Sequence, residues 1–157
     1  MSEEADPARV VADSGVLAAD LLVGGPAREA LDHLRRHSWM ALVASDRLLD
    51  ATEVVVADLA DETLAGDWRE RIEQWRTPVN HPPEDHPALA SAYRSGAAHV
   101  LSFDESLTSA AANTAVQPHL TVSIRPPDAF ARLFDAESLY ESVHENAYPG
   151  PDRDPRG

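Results

Sequence analysis

The sequence predicts an α/β fold: three layers, with a parallel sheet between helices on both faces. Two observations predict it. Four short apolar runs alternate with longer stretches of helical periodicity. Two of those runs, RVVA at 9–12 and HVLSF at 99–103, end on an aspartate that at once opens a helix-like stretch. The length, 157 residues, suits one domain with a core of its own.

The elements follow in order. Residues 1–8 are polar and are expected to be flexible. The first strand is 9–12. Asp13-Ser14 can cap a helix, SGVLAADLL, that stops at Gly24-Gly25. Pro26 suits a first helical position, and 26–37 is apolar at 27, 30, 31 and 34. Its basic end, Arg35-Arg36-His37, complements the helix dipole and is expected to face solvent.

Residues 38–45 form the second strand. Residues 46–75 read as two helices broken near 61–66, with one apolar stripe through Leu48, Thr52, Val55, Val56 and Leu59. Residues 77–87 read as a Pro-rich loop. A short helix then stops at Gly96, and the third strand, 98–103, runs up to Asp104. A small-residue helix (104–115), a fourth strand (120–124) and a final helix from the Pro126-Pro127 pair complete a single domain over 9–140. The acidic, Pro-rich tail 141–157 reads as disordered by composition.

Composition sets bounds. The chain has no Cys, so disulfides and thiolate zinc sites are excluded. No apolar run approaches the ~20 residues of a membrane helix, and the acidic N-terminus is unlike a signal peptide. A cytoplasmic protein with no membrane partner is expected. Asp and Glu total 27 against 13 basic residues, all of them Arg. Such a bias resembles proteins of salt-in halophiles. A net charge of −14 would ordinarily disfavour nucleic acid, but at molar salt the Debye length is about 3 Å. Charge therefore neither supports nor excludes an RNA substrate. No Gly-rich phosphate loop is present.

In a parallel sheet Asp13 and Asp104 emerge on one rim, where ligands bind at a topological switch point. Asp85 is a third candidate. It precedes the helix that leads into the Asp104 strand, and a simple crossover is expected to set it away from the rim unless the Pro-rich loop bends. Carboxylates gathered within several ångströms repel, and a divalent cation relieves the conflict. All-oxygen sites suit Mg²⁺ or Mn²⁺, which can activate water beside a phosphodiester. The bland alternative is that each is a helix cap or a solvated surface charge.

The order of motifs resembles the PIN-domain family, metal-dependent nucleases that include toxins of toxin–antitoxin pairs. VVADSGVLAADLL is similar to the family's opening strand, Asp-Thr-Asn and helix. LVASDRLL is similar to its second strand and following Ser. DHPALASAYRSGAAHVLSFDESL is similar to its Asp, Ala-rich helix, Gly-Ala, strand and Thr-Gly-Asp. IRPPDAF is similar to its closing segment. The resemblance covers residues 9–134. It implies that Asp13, Asp85 and Asp104 converge to hold Mg²⁺ or Mn²⁺ for RNA hydrolysis, and that Ser102 shapes the last turn. It also implies an antitoxin-like partner and a homodimer as expectations.

The chain departs from the family at two places. Asp-Thr-Asn has become Asp13-Ser14-Gly15, and the second acid falls at Ala51, flanked by Asp50 and Glu53 as candidate substitutes. A catalytically inert PIN-like module that binds RNA or protein is therefore the alternative. A receiver-type switch domain would need a downstream Lys, and the chain has none.

Other candidates are weaker. His33 and His37 lie four apart on one helix, but Leu34 stands where an HExxH motif has Glu. HPPEDH (81–86) combines two His with two acids and could bind Zn²⁺. Trp68, Arg71, Ile72 and Trp75 share a helix face with helical spacing. That face packs a core or dimer, or else Arg69 and Arg71 contact phosphates while a Trp stacks on a base. Ser14 and Ser102 are the remaining candidate substrate contacts.

Overall fold

A computed structural model describes residues 6–82, 86–105 and 122–154. Its centre is a five-stranded, all-parallel sheet in the order β3-β2-β1-β4-β5. The strands are β1 (Asp6–Ala12), β2 (Ala41–Ser45), β3 (Thr77–Val79), β4 (Ala97–Leu101) and β5 (Ser123–Arg125). Val10, Val11 and Ala12 of β1 and Leu42, Val43 and Ala44 of β2 are fully buried. Consecutive buried residues mean that both faces of these strands are covered, as parallel sheets require.

The helices are α1 (Ser14–Leu22), α2 (Gly25–Arg35), α3 (Asp46–Leu59), α4 (Glu62–Trp75), α5 (Pro87–Ser95), α6 (Pro127–Leu133) and α7 (Ala136–Val143). The chain steps from β1 to β2 to β3 in one direction, then returns across the sheet to β4. Right-handed crossovers place α1–α4 on one face and α5 on the other. The packing agrees: α1 lies on α2 and α3, α3 on α4, and α5 on β1, β2 and β4. The sheet order also differs from the 2-1-3-4-5 order of flavodoxin-like and receiver folds.

The three-layer α/β architecture expected from the sequence is present. Several boundaries are not where the sequence placed them. β1 starts at Asp6, not residue 9: Asp6 donates its N–H to Gly96 O at 2.7 Å, and Ala8 is buried. The supposed loop after residue 76 opens with a strand, because Thr77–Val79 pairs with Val43–Ser45. Pro78 is tolerated there because β3 is a sheet edge. The break in 46–75 is sharp: α3 ends at Leu59, and the Asp61 side chain accepts from Leu64 N–H at 2.7 Å to start α4.

The final helix is two. Phe134 leaves helical geometry to stack on His33, 4.6 Å between ring centroids, and Asp135 caps α7. The tail expected to be disordered instead folds back on the end of α2 as far as it is described. Asp152 accepts from Ser38 N at 2.8 Å and from Ser38 Oγ, and its own N–H donates to Arg36 O. Most of the small-residue helix expected at 104–115 lies outside the described residues. No described helix is long and apolar enough to cross a membrane.

Candidate functional site

Going outward from β1, strand order turns toward β2 and β3 on one side and toward β4 and β5 on the other. The switch point is therefore the C-terminal rim between β1 and β4. Asp13 follows β1 there, and its N–H donates to Leu101 O of β4 at 2.8 Å. Ala12 pairs with Leu101, so Asp13 stands level with Ser102. On the other side Arg9 pairs with Ala41, which sets Asp13 level with Ser45.

Ser102 is fully buried and joins the two strand-end acids. Its hydroxyl donates to Asp13 Oδ2 at 2.9 Å and accepts the Asp104 N–H at 3.0 Å. Its own N–H donates to Arg125 O on β5. Asp13 Oδ1 accepts the Ser14 N–H at 2.9 Å. Each Asp13 oxygen keeps a further lone pair for a cation. Asp104 is exposed on the same rim. An acid after each of two adjacent strands could offer carboxylate oxygen to Mg²⁺ or Mn²⁺, which need only one or two protein carboxylates plus waters.

Asp85 lies outside the described residues. Because β3 is parallel to the rest, the chain leaves it on the C-terminal rim, and α5 must start there to run back to the entry of β4. His81 shows that the chain is still on that rim. Its Nδ1–H donates to Pro82 O at 2.9 Å, so its Nε2 accepts from the Ser45 hydroxyl at 2.8 Å. Ser45 Oγ also accepts the Leu48 N–H and caps α3. This Ser45–His81 pair, one strand from Asp13, is the part of the rim that sequence reasoning missed. Its only signal was the shared strand-end level of Ser45 and Asp13.

The candidate substitutes for the second acid are engaged elsewhere. Arg69 donates to Asp50 at 2.7 Å, Glu53 at 3.0 Å and Glu73 at 2.9 Å. Arg76 joins Asp46 to Glu73 in the same network. Hydrogen bonds from Arg76 hold the Asp46 carboxyl below its usual range, and those from Arg69 and Arg76 do so for Glu73. Arg69 is thus surrounded by carboxylates rather than open to a phosphate. Trp68 and Ile72 are core residues, while Arg71 on the same helix is exposed.

His33 on α2 and His37 just beyond its end are not a metal pair, nor do they face solvent together. His37 is 3% exposed. Its Nδ1–H donates to His33 O, and its Nε2 accepts from the Tyr148 hydroxyl, each at 2.6 Å. His33 Nε2–H donates to Ala131 O at 3.2 Å. Among the described residues, no group of three or more His, Asp and Glu side chains is arranged to hold a metal. For HPPEDH, residues 83–85 fall outside the described chain.

A family of unknown function, DUF7384, matches residues 4–156. The chain belongs to DUF7384. No curated protein and no solved structure shows a significant match to it. The DUF7384 match spans the sheet, the rim and the docked tail alike, so the tail contacts on α2 fall within the family's own extent.

Proposed function

We propose that this DUF7384 protein is a PIN-like, divalent-metal-dependent ribonuclease. One observation carries the reading: Ser102 bonds both the Asp13 carboxylate and the Asp104 backbone N–H at the switch point of an all-parallel sheet. Asp13 and Asp104, with Asp85 from the segment before α5, would hold Mg²⁺ or Mn²⁺. Bound there, the ion would acidify a coordinated water and offset charge on a phosphodiester. The chain's own part is positioning. Ser102 holds the Asp13 carboxylate, and the bond it accepts from the Asp104 backbone N–H shapes the turn after β4. Ser14, half-buried, lines the approach for an RNA strand, whereas Ser102 is fully buried and is no substrate contact. The Gly15 position leaves room beside Phe103, whose ring would lie 4.0 Å from an added Cβ.

A second reading has an observation of its own. Asp50 and Glu53 are bound to Arg69, so neither supplies the missing acid. That favours an inert PIN-like module binding RNA or a protein such as an antitoxin, as a cytoplasmic monomer or homodimer. Calorimetry with Mn²⁺ at high KCl tests the metal site. Heat in the wild type that vanishes in Asp104→Asn supports it, and no heat, or equal heat in both, sinks it. Cleavage of single-stranded RNA that EDTA abolishes then separates the nuclease from the inert module.

A further inference from the structure

A cavity of about 620 Å³ opens between α1, α2, α4 and the tail. It lies toward the far end of α1: Asp20 on its wall is about 10 Å of helix from Asp13. It is thus separate from the carboxylate rim and does not depend on the ribonuclease reading. Its size falls within the ~300–1,000 Å³ of small-ligand sites.

Its charge runs against the rest of the molecule. Four of the 13 basic residues line it, Arg28, Arg35, Arg71 and Arg153, against two of the 27 acids, Asp20 and Asp154. Asp20 is itself taken by Arg35, which also bonds Asp32. The other three guanidinium groups have no carboxylate hydrogen bond among the described residues. Arg28 donates to the Asp20 and Leu21 carbonyls through Nε and Nη2, with Nη1 left over. Arg153 donates through Nη2 to the Leu34 and His37 carbonyls. Arg71 is exposed and makes no hydrogen bond or ion pair among the described residues. In a chain with twice as many acids as bases, this leaves a pocket of unused N–H donors.

The remaining wall is apolar, from Leu21, Trp68, Ile72 and Trp75. Trp75 is half-buried with the Arg35 guanidinium 4.9 Å from its ring centre, and Ile72 lies beside it on α4. Guanidinium forks match phosphate oxygens, and indole and aliphatic surface matches a planar ring.

We propose that this cavity binds a nucleoside phosphate, with Arg28, Arg71 and Arg153 on the phosphates and the base against Trp75 and Ile72. The source is either a free nucleotide or the end of an RNA strand. The test is calorimetry on the full chain with ATP, a 5′-phosphorylated RNA tetramer, pyrophosphate and adenosine, at the lowest KCl that keeps it folded by circular dichroism. ATP is expected to bind more tightly than pyrophosphate and to quench tryptophan fluorescence, with adenosine silent. Arg71 is unpaired and exposed, so Arg71→Gln should fold normally yet bind about tenfold more weakly, with Arg71→Lys between the two. ATP tighter than the tetramer assigns a free nucleotide, and the reverse assigns an RNA end. Absence of ATP and tetramer binding, equal affinity for pyrophosphate and ATP, or an Arg71→Gln protein that binds like wild type overturns the proposal. The Mn²⁺ titration is read separately, so neither failure mimics the other.

Discussion

His99 shows how much one partly buried side chain can decide. It sits on β4 with its ring edge-on to Phe130, 5.4 Å between centroids, and its Nδ1 has no hydrogen-bond partner among the described residues. Burial, with a smaller push from the Arg125 charge, lowers its pKa from 6.5 to about 4. The unfolded chain therefore binds more protons between those values, and stability falls as pH drops through that window. The loss from pH 7 to pH 5 should be about 2 kcal/mol for this group. Burial also lowers His33, which adds a second contribution of the same sign. His99→Leu keeps an apolar contact for Phe130 and removes the proton. Urea melts at the two pH values should show a flatter dependence in that variant; an unchanged slope would place the acid sensitivity elsewhere. At this scale the site was partly legible. An Asp closing an apolar run and opening a helix marked Asp13 and Asp104. The Ser45–His81 hydrogen bond was not legible, because it depends on how β2 and β3 register and on the tautomer set by Pro82 O.

Among the elements, α3 and α4 are joined by charge as well as by packing. Val56 and Ala65 form a small apolar cluster with Ala18. Beside it, the Arg69 side chain, 20% exposed, bridges Asp50 and Glu53 of α3 to Glu73 of α4. Removing the guanidinium leaves those carboxylates facing one another. Single surface pairs contribute ~0.2–1 kcal/mol, and a network centred on one cation contributes more. Arg69→Met should therefore cost about 1–2 kcal/mol at low salt, and that cost should shrink in molar KCl as screening tightens. Denaturant melts at both salt levels check this; a salt-independent cost would assign the loss to packing of the Arg stem. Helix existence was readable here because caps and stripes are local: Asp61 stops and restarts the helix within three residues. Strand β3 was not readable. Three residues containing a proline carry no periodicity, and only pairing with β2 makes Thr77–Val79 a strand.

For the whole molecule, charge and fold pull in opposite directions. A net charge of −14 on 157 residues repels itself across the surface, while the apolar strands hold the centre together. The basic residues are placed where the balance is tightest. Arg35 is driven toward neutrality by burial, but hydrogen bonds and charge from Asp20, then Asp32, outweigh this and raise its pKa. Arg153 and Asp152 pin the acidic tail to the end of α2, which composition alone could not indicate because those contacts join residues more than 100 apart in sequence. Other acids, among them Glu29, Asp58, Asp67 and Glu70, are exposed, so their mutual repulsion is open to screening. Raising KCl shortens the Debye length from about 30 Å at 0.01 M to about 3 Å at 1 M. The melting temperature should climb with KCl, most steeply over the first decade of concentration, where the screening length falls to that of neighbouring surface charges. Calorimetric scans from 0.01 to 1 M KCl at pH 7 measure the curve. A flat profile would mean that the Arg networks already cancel the repulsion locally, and that the acidic surface sets solubility rather than stability.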